Sequence, residues 1–171
     1  LRAITDGEWV KYDRIVGDYQ PNYDMHDGQY DDDTLVDNPT AMRLAGSLRG
    51  KETGWCTAGT RTAAHQLTGG DFYVYYTHDR NGQSTMPRIA VRMEQGQVAE
   101  VRGISRFQGL ESNMTDIAAE KLTQLPGGDK YEQRLANTHR VTAIENAIQA
   151  GEELTVADIR FLQFSGRIEG F

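Results

Sequence analysis

Cysteine, proline and long apolar runs are scarce in this sequence of 171 residues, which contains one cysteine and four prolines. The single cysteine, Cys56, excludes an internal disulfide and fits a reducing compartment, so we expect a cytoplasmic protein. No stretch of about 18 apolar residues occurs, which argues against a helix that crosses a membrane. A chain of this length buries enough surface to fold without a metal or another cofactor, and we expect none.

Negative charge predominates, because 25 acidic and 18 basic side chains give a formal net charge of −7. This excess repels polyanions, and electrostatic attraction supplies most non-specific affinity for nucleic acid. The length indicates a single domain over residues 1–171. The chain begins without methionine and ends at Phe171. We therefore expect a piece of a longer polypeptide whose partners are its other segments or another protein.

The most acidic segment, residues 20–38, has few side chains to bury and is predicted to be a long solvated loop. A calcium-binding loop would need oxygen ligands at its third and fifth positions and a glutamate at its twelfth. Counted from Asp24, these positions are His26, Gly28 and Leu35. The sequence therefore predicts no metal site here, and the role of this segment stays open.

Three segments in the middle of the chain have the composition and alternation of β-strands, at 72–77, 88–94 and 98–104. Short turns between them favour an antiparallel meander. Apolar residues at helical spacing predict five helices, near 41–48, 62–67, 113–125, 129–150 and 156–164. Asp129 with Glu132 and Thr155 with Asp158 predict capping boxes at the starts of the last two. The predicted fold class is α+β, a small antiparallel three-stranded meander packed on one face against flanking and C-terminal helices.

Side chains alternate along each strand, so the meander has an apolar face and a polar face. We expect the polar face to carry tyrosines, arginines and acids: Tyr73, Tyr75, Arg88, Arg92, Glu94, Glu100 and Arg102. Such a platform can stack bases and pair with phosphates, as in proteins that bind single-stranded nucleic acid. The alternative is a solvated face on which the arginines pair with Glu94 and Glu100. The net charge favours this alternative.

The lone thiol, that of Cys56, is a candidate catalytic nucleophile. Cys56 precedes a predicted helix start, where the helix dipole lowers the pKa of a thiol. A cysteine nucleophile needs a base, and the histidines that could serve are His65, His78 and His139. We keep Cys56 and His65 as catalytic candidates. A lone cysteine beside Trp55 is more often a small buried apolar residue, so catalysis is the less favoured interpretation.

Four short motifs occur in order: GWCTA at 54–58, GDFYVY at 70–75, PRIAVR at 87–92 and EVRG at 100–103. Together they resemble the tryptophan-cysteine (WCTA) domain of large phage and conjugative-element proteins, the PcfJ-like group. The resemblance covers residues 54–104 and implies membership of a phage or mobile-element polypeptide, without a characterised reaction. It singles out six residues: Trp55, Cys56, Arg88, Arg92, Glu100 and Arg102.

The leading hypothesis is a non-catalytic interaction or structural module of a larger mobile-element protein. One alternative is a cysteine-dependent or acid/base enzyme that uses the Trp55-Cys56 turn, and another is nucleic-acid contact through the face of tyrosines and arginines. The binding candidates are Trp55, Tyr73, Tyr75, Arg88, Arg92, Glu100 and Arg102.

Overall fold

The computed structural model describes residues 5–17, 38–51, 59–104 and 109–164. The chain divides into two compact units, one ending at Pro126 and the other beginning at Gly127. Within the described ranges, the first unit holds a four-stranded antiparallel sheet and three α-helices, and the second holds two α-helices. The α+β class predicted from the sequence is confirmed.

The sheet consists of β1 (Gly7–Tyr12), β2 (Phe72–His78), β3 (Ser84–Glu94) and β4 (Gln97–Gly103). The strands lie in this order across the sheet, and each is antiparallel to its neighbour. The three predicted strands are present, but the prediction of a three-stranded sheet is wrong because β1 adds a fourth. Residues 9–12 are rich in aromatic and β-branched side chains, but their partner strand lies far along the chain, where local pattern does not reveal it.

Helices α1 (Pro39–Leu48) and α2 (Thr60–Gly69) cover one face of the sheet. At the start of α1, the side chain of Asn38 accepts a hydrogen bond from the amide of Ala41 at 3.0 Å, which is a usual helix cap. The core between these helices and the sheet combines small helical residues with large strand residues: Tyr12, Ala41, Leu44, Ala45, Leu48, Ala63, Ala64, Leu67, Phe72, Val74, Tyr76, Ala90 and Ile104. Alanines on both helices leave room for the rings of the sheet.

Helix α3 (Thr115–Gln124), which follows a 3₁₀ turn at Ser112–Met114, covers the other face. The ammonium of Lys121 lies 4.8 Å from the ring centroid of Tyr73, and the amide of Val98 donates to the carbonyl of Pro126 at 2.9 Å. The buried residues of this layer are Tyr75, Ile89, Val91, Met93, Val98, Met114, Ala118 and Leu122. The prediction that helices cover only one face is therefore wrong, because the central strands are buried on both sides.

The second unit consists of helices α4 (Gly128–Gln149) and α5 (Val156–Phe164). Arg140 of α4 holds the two helices together. Its guanidinium donates to the carbonyl of Ala157 at 3.0 Å and lies 4.5 Å from the ring centroid of Phe161.

The starts of these two helices differ. Thr155 accepts a hydrogen bond from the amide of Asp158 at 3.1 Å, and the Asp158 carboxylate accepts one from the amide of Thr155 at 3.2 Å. This reciprocal arrangement confirms the capping box predicted before α5. The capping box predicted at Asp129 is wrong, because α4 follows Gly127 in a left-handed conformation without a side-chain cap.

Candidate interaction site

The predicted catalytic residues are only partly within the described chain. Trp55 and Cys56 lie outside the described residues, so the turn that contains them stays a prediction. His65 lies exposed on α2, where its carbonyl accepts a hydrogen bond from the hydroxyl of Thr68 at 2.6 Å. Over the ranges that the structure describes, no group of three histidine, cysteine, aspartate or glutamate residues is placed to hold a metal ion. His65 is thus a solvent-facing residue, and its role in catalysis stays a prediction.

The tyrosines and arginines predicted to share a face lie on opposite faces. Residues directly paired across a ladder share a face, and Phe72 pairs with Arg92 whereas Tyr73 pairs with Val91. The register with β4 then assigns three charged residues to the face of α1 and α2: Arg92, Glu100 and Arg102. Tyr73 and Tyr75 lie under α3. The predicted platform is wrong because alternation fixes faces within a strand, whereas a one-residue shift of register exchanges them between strands.

The arginines of β3 and β4 are engaged by acids. Arg92 lies 3.1 Å from a carboxylate oxygen of Glu94 and 3.6 Å from one of Glu100, and Arg102 also pairs with Glu100. The interpretation in which these arginines pair with Glu94 and Glu100 is confirmed. Each such pair contributes only about 0.2–1 kcal/mol to stability. The main consequence of the cluster is therefore that the charges of Arg92 and Arg102 are neutralised.

Arg88 occupies an irregular point of β3. A register shift between Tyr75 and Tyr76 leaves Arg88 without a ladder partner, as in a β-bulge. Its guanidinium binds the carboxylate of Glu111, which precedes α3, and lies 3.5 Å from the hydroxyl of Thr77. The bulge therefore ties β3 to the segment that leads into α3.

Tyr73 and Tyr75 are packing residues in this arrangement. Tyr75 is 7% exposed, its hydroxyl donates to the carbonyl of Thr5 at 2.7 Å, and its ring centroid lies 5.2 Å from that of Trp9. Tyr73 is half-buried beneath the ammonium of Lys121. Burial raises the pKa of both phenols, so both stay neutral at physiological pH.

A chain of hydrogen-bonded hydroxyl groups fastens β1 to β2 and α1. The Tyr12 hydroxyl lies 2.7 Å from that of Tyr76, which donates to Ser47 at 2.8 Å. Ser47 in turn donates to the carbonyl of Leu44 at 2.8 Å, so each hydroxyl has a partner. Burial raises the pKa of Tyr76 and keeps it protonated. The guanidinium of Arg43 lies 5.0 Å from the ring centroid of Tyr12, which adds a second contact between α1 and β1.

An ionic contact fastens the end of β1. The carboxylate of Asp71 accepts a hydrogen bond from the amide of Arg14 at 2.8 Å and lies 3.3 Å from the ammonium of Lys11. Lys11 also lies 3.0 Å from Asp13. Hydrogen bonds to Asp13 and Asp71 raise the pKa of Lys11, so its charge is present and compensated.

Among the described residues, no segment pairs with the outer edge of β1. The amide of His78 donates to the carbonyl of Asp6 at 2.9 Å, so these two residues form a hydrogen-bonded pair at the end of the ladder between β1 and β2. Because bonded and non-bonded pairs alternate along an antiparallel ladder, the backbone polar groups of Gly7, Trp9 and Lys11 face away from β2. Within the described ranges, these groups have no backbone hydrogen-bond partner. The N–H and C=O groups of three residues are thus positioned to accept another strand.

The edge of β4 is closed at both ends. The amide of Val98 donates to the carbonyl of Pro126 at 2.9 Å. Gly103 packs so closely on Gly109 that a Cβ on Gly103 would overlap the Gly109 carbonyl. Sheet edges are usually protected in such ways, because unpaired edges recruit other chains.

A groove of about 360 Å³ lies near the end of β1, lined by Arg14, Gly70, Asp71, Tyr73, Met93, Gly96 and Pro126. Its carboxylate, that of Asp71, already binds Lys11 and the Arg14 amide. The groove is therefore a polar surface beside the open edge, built from groups that also hold β1 in place.

No family model, curated protein or solved structure matches this chain. The resemblance to the tryptophan-cysteine domain therefore stays a prediction that rests on its four motifs.

None of the helices in the described ranges is long and apolar enough to span a membrane.

Proposed function

We propose that this chain is a non-catalytic interaction module that binds an extended segment of another protein along β1. The observation that carries the proposal is the row of outward-facing backbone groups of Gly7, Trp9 and Lys11, in a sheet whose opposite edge is covered. In binding by strand addition, main-chain hydrogen bonds supply affinity and alternate side chains supply specificity. A bound segment would become a fifth strand of the sheet.

The rigidity of β1 supports this function. All six of its residues pair with β2, the Tyr12 hydroxyl is tied to α1, and Asp71 holds its end. An edge that is already ordered loses less conformational entropy on binding than a segment that must fold first.

The phage or mobile-element context belongs to the proposal as its biological setting. In that setting, the bound segment belongs to the same long polypeptide or to another protein of the element. Nucleic-acid contact is the weaker hypothesis, because Arg92 and Arg102 are ion-paired and lie on the face opposite Tyr73.

The proposal is tested by a matched pair of variants, Lys11→Pro and Lys11→Ala. Both lose the ammonium, but only Lys11→Pro loses the outward N–H, and proline is tolerated where the N–H of an edge strand faces solvent. Random twelve-residue peptides are selected on the wild-type chain, and their affinities for the two variants are compared. We expect Lys11→Pro to bind them about fivefold to tenfold more weakly than Lys11→Ala, as loss of one hydrogen bond implies.

Circular dichroism verifies that both variants keep the wild-type fold. Equal binding by the two variants, or a selection that enriches no peptide, would contradict the proposal. Sedimentation of the wild-type chain is the accompanying measurement, since a dimer lost in Lys11→Pro would identify a second copy as the occupant instead.

A further inference from the structure

We infer that the strand bound along β1 carries a carboxylate on the side that faces α3, where it pairs with Lys121. The inference rests on the proposed function and specifies the chemistry of the partner segment.

The ammonium of Lys121 lies over two rings, one on the edge strand and one on its neighbour. It is 5.5 Å from the ring centroid of Trp9, which belongs to the edge strand, and 4.8 Å from that of Tyr73 on the adjacent strand. An added strand would run about 4.8 Å from β1. Its side chain beside Trp9 on the same face would therefore come within reach of Lys121, because cross-strand and diagonal neighbours contact each other through long side chains.

The two lysines at this edge differ in their surroundings. Lys11 lies within 3.3 Å of carboxylate oxygens of Asp13 and Asp71, so its charge is compensated. Across the part of the chain that the structure describes, Lys121 has rings but no carboxylate as partners. Aromatic rings attract an ammonium without neutralising its charge. A carboxylate from the bound strand would supply the counter-charge in a position partly sheltered by Trp9 and Tyr73.

The same geometry argues against a second copy as the occupant. The side chains that β1 presents on the α3 side are those of Trp9 and Lys11, because these residues pair with Tyr75 and Tyr73. A second β1 strand would therefore bring a tryptophan and a lysine to this side, and neither carries a carboxylate. It would supply no counter-charge for Lys121, so the partner is a different segment with an acidic side chain.

The test uses peptides that are selected on the wild-type chain and bind Lys11→Pro more weakly than Lys11→Ala. We expect them to share an aspartate or glutamate whose replacement by the neutral amide weakens binding about twofold to fivefold. The same replacement in the peptide is expected to leave its affinity for Lys121→Gln unchanged. The charge-swapped pair, Lys121→Glu with a peptide that carries lysine at that position, is expected to recover the affinity. Lys130→Glu, on α4, makes the same charge change elsewhere and serves as the control.

Raising the salt concentration from about 0.05 to about 0.5 M should reduce the preference for the acidic peptide, since salt screens the pair. Selected peptides without a shared acid, or an acid whose loss has equal effects in wild type and Lys121→Gln, would overturn this inference. In that case, peptides that still bind Lys11→Pro more weakly than Lys11→Ala would continue to support strand addition. Equal binding by Lys11→Pro and Lys11→Ala would overturn the proposed function as well.

Discussion

The two edges of the sheet have opposite surroundings. Along β4, the amide of Val98 is bonded to Pro126 and Gly103 packs against Gly109. Along β1, the described residues leave the outward groups of Gly7, Trp9 and Lys11 without backbone partners. One edge is closed by its own chain, and the other is held rigid with its polar groups facing outward.

This difference shows how a sheet can be buried on both faces and still offer a binding surface. The faces are covered by α1 and α2 on one side and by α3 on the other, so β1 is supported from three directions. Open edges also invite aggregation, and short length and charged side chains are the usual protection. β1 has six residues and carries Glu8 and Lys11, which limits uncontrolled pairing while leaving the backbone available.

The largest expected effect comes from forcing the closed edge open. In Gly103→Val, the new side chain would overlap the backbone carbonyl of Gly109, which cannot move aside as a flexible side chain could. We expect the free energy of unfolding, measured in urea, to fall by about 3 kcal/mol.

A matched control for this variant is Gly46→Ala in α1, where an added Cβ meets no atom within 4 Å. It should raise the free energy of unfolding by about 0.5–1 kcal/mol, since alanine favours a helix over glycine. Wild-type stability in Gly103→Val would show that Gly109 does not close this edge.

A smaller effect is expected from Ser47→Ala, which removes an anchor of the open edge. The buried hydroxyl of Tyr76 would lose its acceptor in Ser47, at a cost of about 1–2 kcal/mol for a buried polar group. Urea unfolding measures the loss. Thr68→Ala removes an exposed hydroxyl that also bonds a helix carbonyl, and it should change stability by less than about 0.5 kcal/mol. Equal losses in the two variants would indicate that the hydroxyl chain does not support β1.

Local features of the sheet can be predicted from the sequence, whereas its register and the state of its edges cannot. Strict alternation at 88–94 and aromatic residues at 72–77 locate β3 and β2 correctly, and Thr155 with Asp158 identifies the start of α5. These features are local, so neighbouring residues specify them. Register is not local. It depends on bulges near Tyr76 and after Arg92, and it placed the tyrosines and arginines on opposite faces.

The candidate site depended still more on tertiary structure. Whether the edge at Trp9 is open is decided by which segments reach β1, and whether the edge at Gly103 is closed is decided by Gly109. Neither fact has a counterpart in composition or periodicity. Strand-forming residues at 9–12 were the available signal for β1, but they do not distinguish an edge strand from a central one.

The smallest expected effect is a loss of stability in alkali. Burial raises the pKa of Tyr76 above its ordinary value of 10.0, so the unfolded chain releases this proton at a lower pH than the folded chain does. Stability from this group is complete below about pH 10 and is lost as the pH rises towards its folded value. Urea unfolding at about pH 8 and about pH 10.5 should show a decline that is smaller in Tyr76→Phe. Equal declines in wild type and variant would show that ionisation of Tyr76 does not cause the loss of stability.

The central claim is that β1 presents an open edge. The most direct test is to follow hydrogen exchange of the β1 backbone amides by NMR in the free chain. The amides of Glu8, Val10 and Tyr12 face β2 and should exchange slowly, whereas those of Gly7, Trp9 and Lys11 should exchange fast. Adding a selected peptide should slow the second set. Uniform protection of all six amides in the free chain would mean that the edge is already covered, and that result would contradict the account.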